Sequence, residues 1–213
     1  VTANLIQLKI KVPSHLVRVV PLNESRVVEN VEVVLVDANH CPGRFESASC
    51  LTFEPLDNFL WRPGAVMFLF RFPTGRCVLH VGDFRAHESM AGVRELTRSP
   101  ITELYLDTTY CDPNYDFPSQ DDVVAYVRRL VRKNVERHPK LLVVSGTYTI
   151  GKEKVFMAAA DELDCKIWAP SGKRTVLNCI QDPALLARLV TNPGDERARV
   201  HVVNMADVKR IAY

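Results

Sequence analysis

Three apolar runs in the first half of the chain each stop on a residue that can bind a metal. Residues 31–43, VEVVLVDANHCPG, reach His40; residues 79–85, LHVGDFR, reach Asp83; and residues 104–111, LYLDTTYC, reach Asp107. A strand that ends in a ligand ties that ligand's backbone to a rigid sheet and leaves its side chain facing a cleft, where sheet proteins place chemistry. One such ending means little, because loops are polar anyway. Three in succession, with Gly or Pro beside two of them, point to a sheet that carries a metal centre.

The rest of the pattern supports strands in the first half. An apolar segment over 5–12 is followed by Pro13 and a loop. Residues 26–28 and 31–36 are rich in valine and flank Glu29-Asn30, which predicts a β-hairpin. Residues 65–72 and 76–81 flank Pro73-Thr74-Gly75, predicting a second hairpin that ends on Gly82-Asp83. Residues 101–106 form the strand before Asp107. Pro118-Ser119 then opens a helix, with Ser119 as its N-cap and Asp122 in the capping-box position. Its expected apolar stripe is Val123, Val127, Leu130 and Val131. Strands over 140–145, 166–168 and 200–203 alternate with helices over 152–163 and 183–190, the pattern of a parallel, helix-covered α/β unit. Hairpins first and β-α-β afterwards put a domain seam near Cys111.

Length and composition narrow the class. The 213 residues make one large domain or parts of two, and 47% hydrophobic content suffices for an ordinary core. A net charge of +2 gives no independent argument for nucleic acid. The six cysteines never form a C-x-x-C pair and read as reduced thiols of an intracellular protein. No run of eighteen apolar residues and no charged-then-apolar leader occurs, so no membrane association is expected. The first residue, Val1, suggests a fragment or an incomplete gene model.

On spacing alone, His40 and Asp83 also read as a loop histidine and a turn aspartate, and Asp107 as a turn aspartate before Thr108-Thr109. Four motifs tip the balance: DANHCPG, HVGDFRA, LYLDTTYC followed by FPSQ, and SGTYTIGKEKVF. Together they resemble the DNA cross-link repair nucleases of the metallo-β-lactamase superfamily, which carry an inserted domain called β-CASP; the match is closest to the 5′ exonuclease branch. The resemblance implies an α/β protein: a partial metallo-β-lactamase αββα fold over 1–111, then part of a β-CASP domain over 112–213. It implies His40 as a zinc ligand and Asp83 as the carboxylate that reaches both metals when two are present. Asp107 would support the metal site, so that Asp83 and Asp107 form the catalytic set, with one or two zinc ions in the intact parent. The implied activity is metal-dependent 5′-3′ hydrolysis of DNA phosphodiesters in interstrand cross-link repair. The implied partner is DNA that is damaged or has free 5′ ends, and the implied compartment is the nucleus. RNA processing and a non-catalytic relic or splice product are the alternatives.

Two departures from the family matter. Its His-x-His-x-Asp-His cluster is absent, and two or three ligands cannot close a tight site, so this chain alone is expected to bind zinc weakly and cleave nothing. Residues 44–64 are an atypical insertion: deleting them joins Gly43 to the strand at Ala65. They are either a real surface loop or translated intron, and the second is preferred. His80 and Asp37 read as structural residues.

Gly146 to Lys152, GTYTIGK, fits G-x-x-x-x-G-K between a strand and a helix. The next residue is Glu153, where a nucleotide-binding loop needs Ser or Thr, and a carboxylate there repels phosphate. Nucleoside-triphosphate binding is set aside. Lys152 and Lys154 remain candidates for contacts to the DNA backbone, against the reading that they are simply solvated. Arg128, Arg129, Arg132, Lys133 and Arg137 read as the wet side of an amphipathic helix.

Overall fold

The computed structural model describes residues 1–40 and 65–211, with side chains to Val208. The expectations for CPG at 41–43 and for the insertion at 44–64 lie outside the described residues. The chain forms two compact units, Val1–Asp112 and Pro113–Tyr213.

The first unit is built on a sheet whose strands lie in chain order: β1 (Ser25–Val28), β2 (Val31–Asp37), β3 (Val66–Arg71), β4 (Cys77–His80) and β5 (Glu103–Tyr105). Glu29 and Asn30 both have positive φ, 49° and 68°, as a two-residue type I′ hairpin requires. The second hairpin closes through Phe72 N–H to the Arg76 carbonyl at 2.9 Å, with Gly75 at φ 84°. β2 to β4 pair antiparallel, and β5 joins β4 in parallel. Alternation sends Val34, Val36, Met67, Leu69, Cys77 and Leu79 to one face. Phe84, Met90, Val93 and Leu96 cover it from the segment holding the 3₁₀ turn Glu88–Gly92 and α2 (Arg94–Thr97). The expected apolar segment at the N-terminus is helical, α1 (Thr2–Leu5) running into a π-turn over Ile6–Ile10.

The second unit holds a parallel sheet in the order β6-β9-β7-β8: β6 (Val143–Thr147), β7 (Lys166–Trp168), β8 (Leu189–Val190) and β9 (Ala198–Asn204). Its helices are α3 (Gln120–Arg137), α4 (Glu153–Glu162), α5 (Ser171–Ile180), α6 (Pro183–Arg188) and α7 (Met205–Ile211). α4 is buried continuously from Phe156 to Ala160, as expected of a helix that is apolar on every side. Ser119 caps α3 as predicted, its hydroxyl accepting from Asp122 N–H at 3.1 Å and donating to the Asp122 carboxylate at 2.7 Å.

Three expectations are corrected here. Val123 and Leu130 are exposed, and Val131 is the buried residue of α3. Arg128 and Arg132 lie on the side of α3 that meets α4, where they reach Asp161 and Glu162 at 3.1 Å and 2.7 Å. The helix predicted over 183–190 ends at Arg188, and its last two residues pair with β7 as β8. Helices α5 and α7 were not anticipated, since Gly172 and Thr175 are poor helix formers and α5 has only a short apolar stripe.

Candidate metal-ligand edge and phosphate-facing loop

Strand direction alone gathers the three motif endings. β2 and β4 each run antiparallel to β3 and so run parallel to one another, and β5 is parallel to β4. The ends of β2, β4 and β5 therefore emerge at the same edge of the sheet, and the loops after them carry His40, Asp83 and Asp107.

Hydrogen bonds then join these loops. Arg85 N–H donates to the Ala38 carbonyl at 2.9 Å, and Asn39 Nδ2 donates to the Arg85 carbonyl at 3.5 Å. Asp37 accepts from Asn39 N–H at 2.9 Å, which fixes the turn that leads into His40, with Asn39 at φ 52°. Asp37 is thus a loop organiser, as read from the sequence. Asp107 accepts from the Thr109 hydroxyl at 2.6 Å and from its N–H at 2.9 Å. Those two bonds hold the Asp107 carboxyl below its ordinary range, with smaller contributions from the Phe84 N–H and the charge of His40. The end of β5 is joined to the end of β4 by Val81 N–H, which donates to the Tyr105 carbonyl at 3.1 Å. His80 accepts from Gly82 N–H at 3.1 Å and stacks on Tyr105, a structural role.

Imidazole and carboxylate suit zinc in kind. They do not fit it in number: among the described residues, no group of three or more His, Cys, Asp or Glu is placed to hold a metal ion. The residues that reading by motif overlooked are Asn39, Phe84, Arg85 and Thr109. Two were legible, because D-x-N at 37–39 and D-x-T at 107–109 are both Asx-turn patterns.

In the second unit, the loop between β6 and α4 excludes a nucleotide for a structural reason. Glu153 is buried and its carboxylate accepts from Gly151 N–H at 2.8 Å, taking an amide that a phosphate would need. Burial pushes the Glu153 carboxyl above its ordinary value. Lys152 is exposed and its ammonium lies 5.6 Å from the centre of the Tyr148 ring, while Lys154 Nζ donates to Gln120 Oε1 at 3.2 Å. On α3, Arg128 and Arg132 are engaged by α4 carboxylates and Arg129 lies over Tyr126 at 5.9 Å.

A sheet end at which three loops carry an imidazole and two carboxylates, and a parallel helix-covered sheet later in the chain, define an α/β protein. Comparison with known proteins takes the class further. The chain is 38% identical over 208 residues to the mouse DNA cross-link repair 1A protein, matching 98% of this chain and 18% of that protein. It is 34% identical to the Arabidopsis thaliana DNA cross-link repair protein SNM1, over 98% of this chain and 38% of that protein. It is 31% identical to the chicken 5′ exonuclease Apollo, over 98% of this chain and 39% of that protein. The chain is thus homologous over nearly its whole length to DNA cross-link repair proteins. It spans less than two fifths of each of these relatives. No family model matches. Among solved structures, a protein of unknown function from Enterococcus faecalis shares the fold, with a TM-score of 0.53 and 14% identity over 95% of this chain and 51% of that one.

Proposed function

We propose that this chain is a segment of a metal-dependent 5′-3′ DNA exonuclease of interstrand cross-link repair, acting in the nucleus on damaged DNA or free 5′ ends. The observation that carries the reading is the single sheet edge at which the His40 and Asp83 loops are hydrogen-bonded together and the parallel strand β5 brings in the Asp107 loop. The first unit would be the partial metallo-β-lactamase domain and the second the partial β-CASP domain. His40 and Asp83 would supply two zinc ligands, with Asp107 fixing its own turn beside them through Thr109. Zinc, when bound in such enzymes, makes water a nucleophile near neutral pH and offsets charge on the phosphate oxygens. The chain's own contribution is to orient: the Asx turns fix the ligand loops, and Lys152 and Lys154 face the nucleic-acid backbone. On this reading the 213-residue polypeptide by itself is expected to bind zinc weakly and not to turn over DNA.

The test uses the purified chain with matched 5′-phosphorylated DNA and RNA strands, with and without zinc. Binding that prefers DNA, without cleavage, is the expected result. A preference for RNA would favour the RNA-processing relatives instead, and metal-dependent turnover by the chain alone would overturn the incomplete site.

A further inference from the structure

We propose that two buried groups, Glu153 and Lys173, hold the loop after β6 so that Tyr148 and Lys152 together grip an unpaired DNA strand, the ring taking a base and the ammonium a phosphate. The proposal rests on the DNA reading above and deepens it by naming a contact and the residues that position it.

The loop lies between two buried groups. From α5, Lys173 is 5% exposed and its ammonium donates to the carbonyls of Tyr148 and, at 3.2 Å, Thr149. From α4, Glu153 is 4% exposed and holds the amide of Gly151. Burying a lysine and a glutamate costs free energy unless both are bonded, and here the bonds go largely to the backbone of one short loop. The loop's own outward residues show what is being held. Tyr148 is 69% exposed, and the Lys152 ammonium stands against its ring.

Lys152 also sits at φ 66°, in the left-handed region where glycine is comfortable and a side chain is strained. Glycine would serve the turn better, and Gly151 already occupies the neighbouring position. A lysine kept at a strained position argues that its side chain is used. An exposed aromatic face beside a cation is the pairing that single strands engage, because every base has a face to stack and every linkage carries a phosphate. Duplex DNA, whose bases are already stacked, would meet only the charge.

The experiment titrates the full 213-residue chain against a fluorescein-labelled, 5′-phosphorylated oligothymidylate and reads anisotropy at several salt concentrations, well below the unfolding temperature. Y148A is expected to weaken binding on the order of ten-fold with the salt slope unchanged. K152G relieves the strained backbone, so its thermal midpoint should hold or rise while the salt slope falls by about 0.7. K173M should weaken binding about as much as Y148A and speed amide exchange at residues 149–151, and K173R, which keeps donors for both carbonyls, should restore binding. A lysine with a purely structural role would lower the K173M midpoint and leave the affinity of the folded protein unchanged. If the parent chain binds and Y148A, K152G and K173M bind equally well, the grip is wrong and the DNA reading stands. If the parent chain does not bind the strand at all, both fall.

Discussion

The backbone N–H of Arg85 donates to the carbonyl of Ala38 at 2.9 Å, so a main-chain bond ties the loop that carries Asp83 to the loop that carries His40. Side-chain substitutions at the candidate ligands leave that tie in place. They therefore test metal binding with little disturbance of the fold. Zinc titration of the chain against a chromophoric chelator should give an affinity no tighter than about micromolar, roughly 8 kcal/mol, since two ligands do not close a site. His40→Ala and Asp83→Ala should each abolish it. Asp107→Asn should weaken it less, because Asp107 fixes its own turn through Thr109. Nanomolar binding, or binding indifferent to His40→Ala, would refute this assignment.

Arg71 and Arg76 separate geometry from burial. Arg76 makes the shorter contacts, 2.6 Å and 2.7 Å to Glu103, but its side chain is 48% exposed. Arg71 is 12% exposed and gathers Glu95, Glu32 and Ser99 at 3.1–3.3 Å, with the Glu95 carbonyl at 2.7 Å. Arg71→Ala leaves the partly buried Glu32 and Glu95 to the more exposed Arg98, at 3.5 Å and 3.9 Å, and should lower the unfolding free energy by about 1–3 kcal/mol. Arg76→Ala removes an ion pair that water and salt already screen, so its effect should be the smaller of the two. Urea denaturation of both variants decides the order, and a larger loss at Arg76 would reverse the argument.

The strands of the first unit were legible because period-2 alternation and turn chemistry agree. Valines at 34 and 36 point one way, and Glu29-Asn30 can adopt the positive φ of a type I′ turn. The convergence of His40, Asp83 and Asp107 follows from those hairpins, since two reversals return β4 to the direction of β2. The face of α3 was harder to read. Valine and leucine spacing admits two overlapping stripes, and the choice falls to packing against another helix, α4, where Arg128 and Arg132 find partners that leave no local trace in the sequence. α5 was missed for a related reason. Its stability comes from burying Val176, Leu177 and Ile180 and from Lys173 reaching across to the loop after β6, all tertiary terms.

Gly146 in β6 marks a close approach to α7. A Cβ there would collide with Val208 Cγ2 and lie 3.1 Å from Met205 Sδ. Gly146→Ala should therefore overpack the sheet–helix contact and cost about 1–3 kcal/mol. Adding Val208→Ala removes the obstructing methyl and should recover part of that loss. Equal stability of Gly146→Ala and the parent chain in thermal unfolding would show that α7 moves aside freely.

Glu153 makes stability fall as pH rises. Its carboxyl is raised above the ordinary value of 4.5, chiefly by burial, with the Gly151 N–H and the charge of Lys173 pulling the other way. A group that holds its proton more tightly in the folded state favours folding most at low pH. As pH climbs past 4.5 the unfolded chain releases the proton first, and stability drains until the folded carboxyl ionises at its raised value. Glu153→Gln carries no such proton, so parent minus variant stability isolates the effect. That difference should decline steadily from pH 4 upward and then level off. Chemical denaturation at half-unit pH intervals measures it, and a difference that grows with pH would mean that Lys173 and the loop amide outweigh burial at this site.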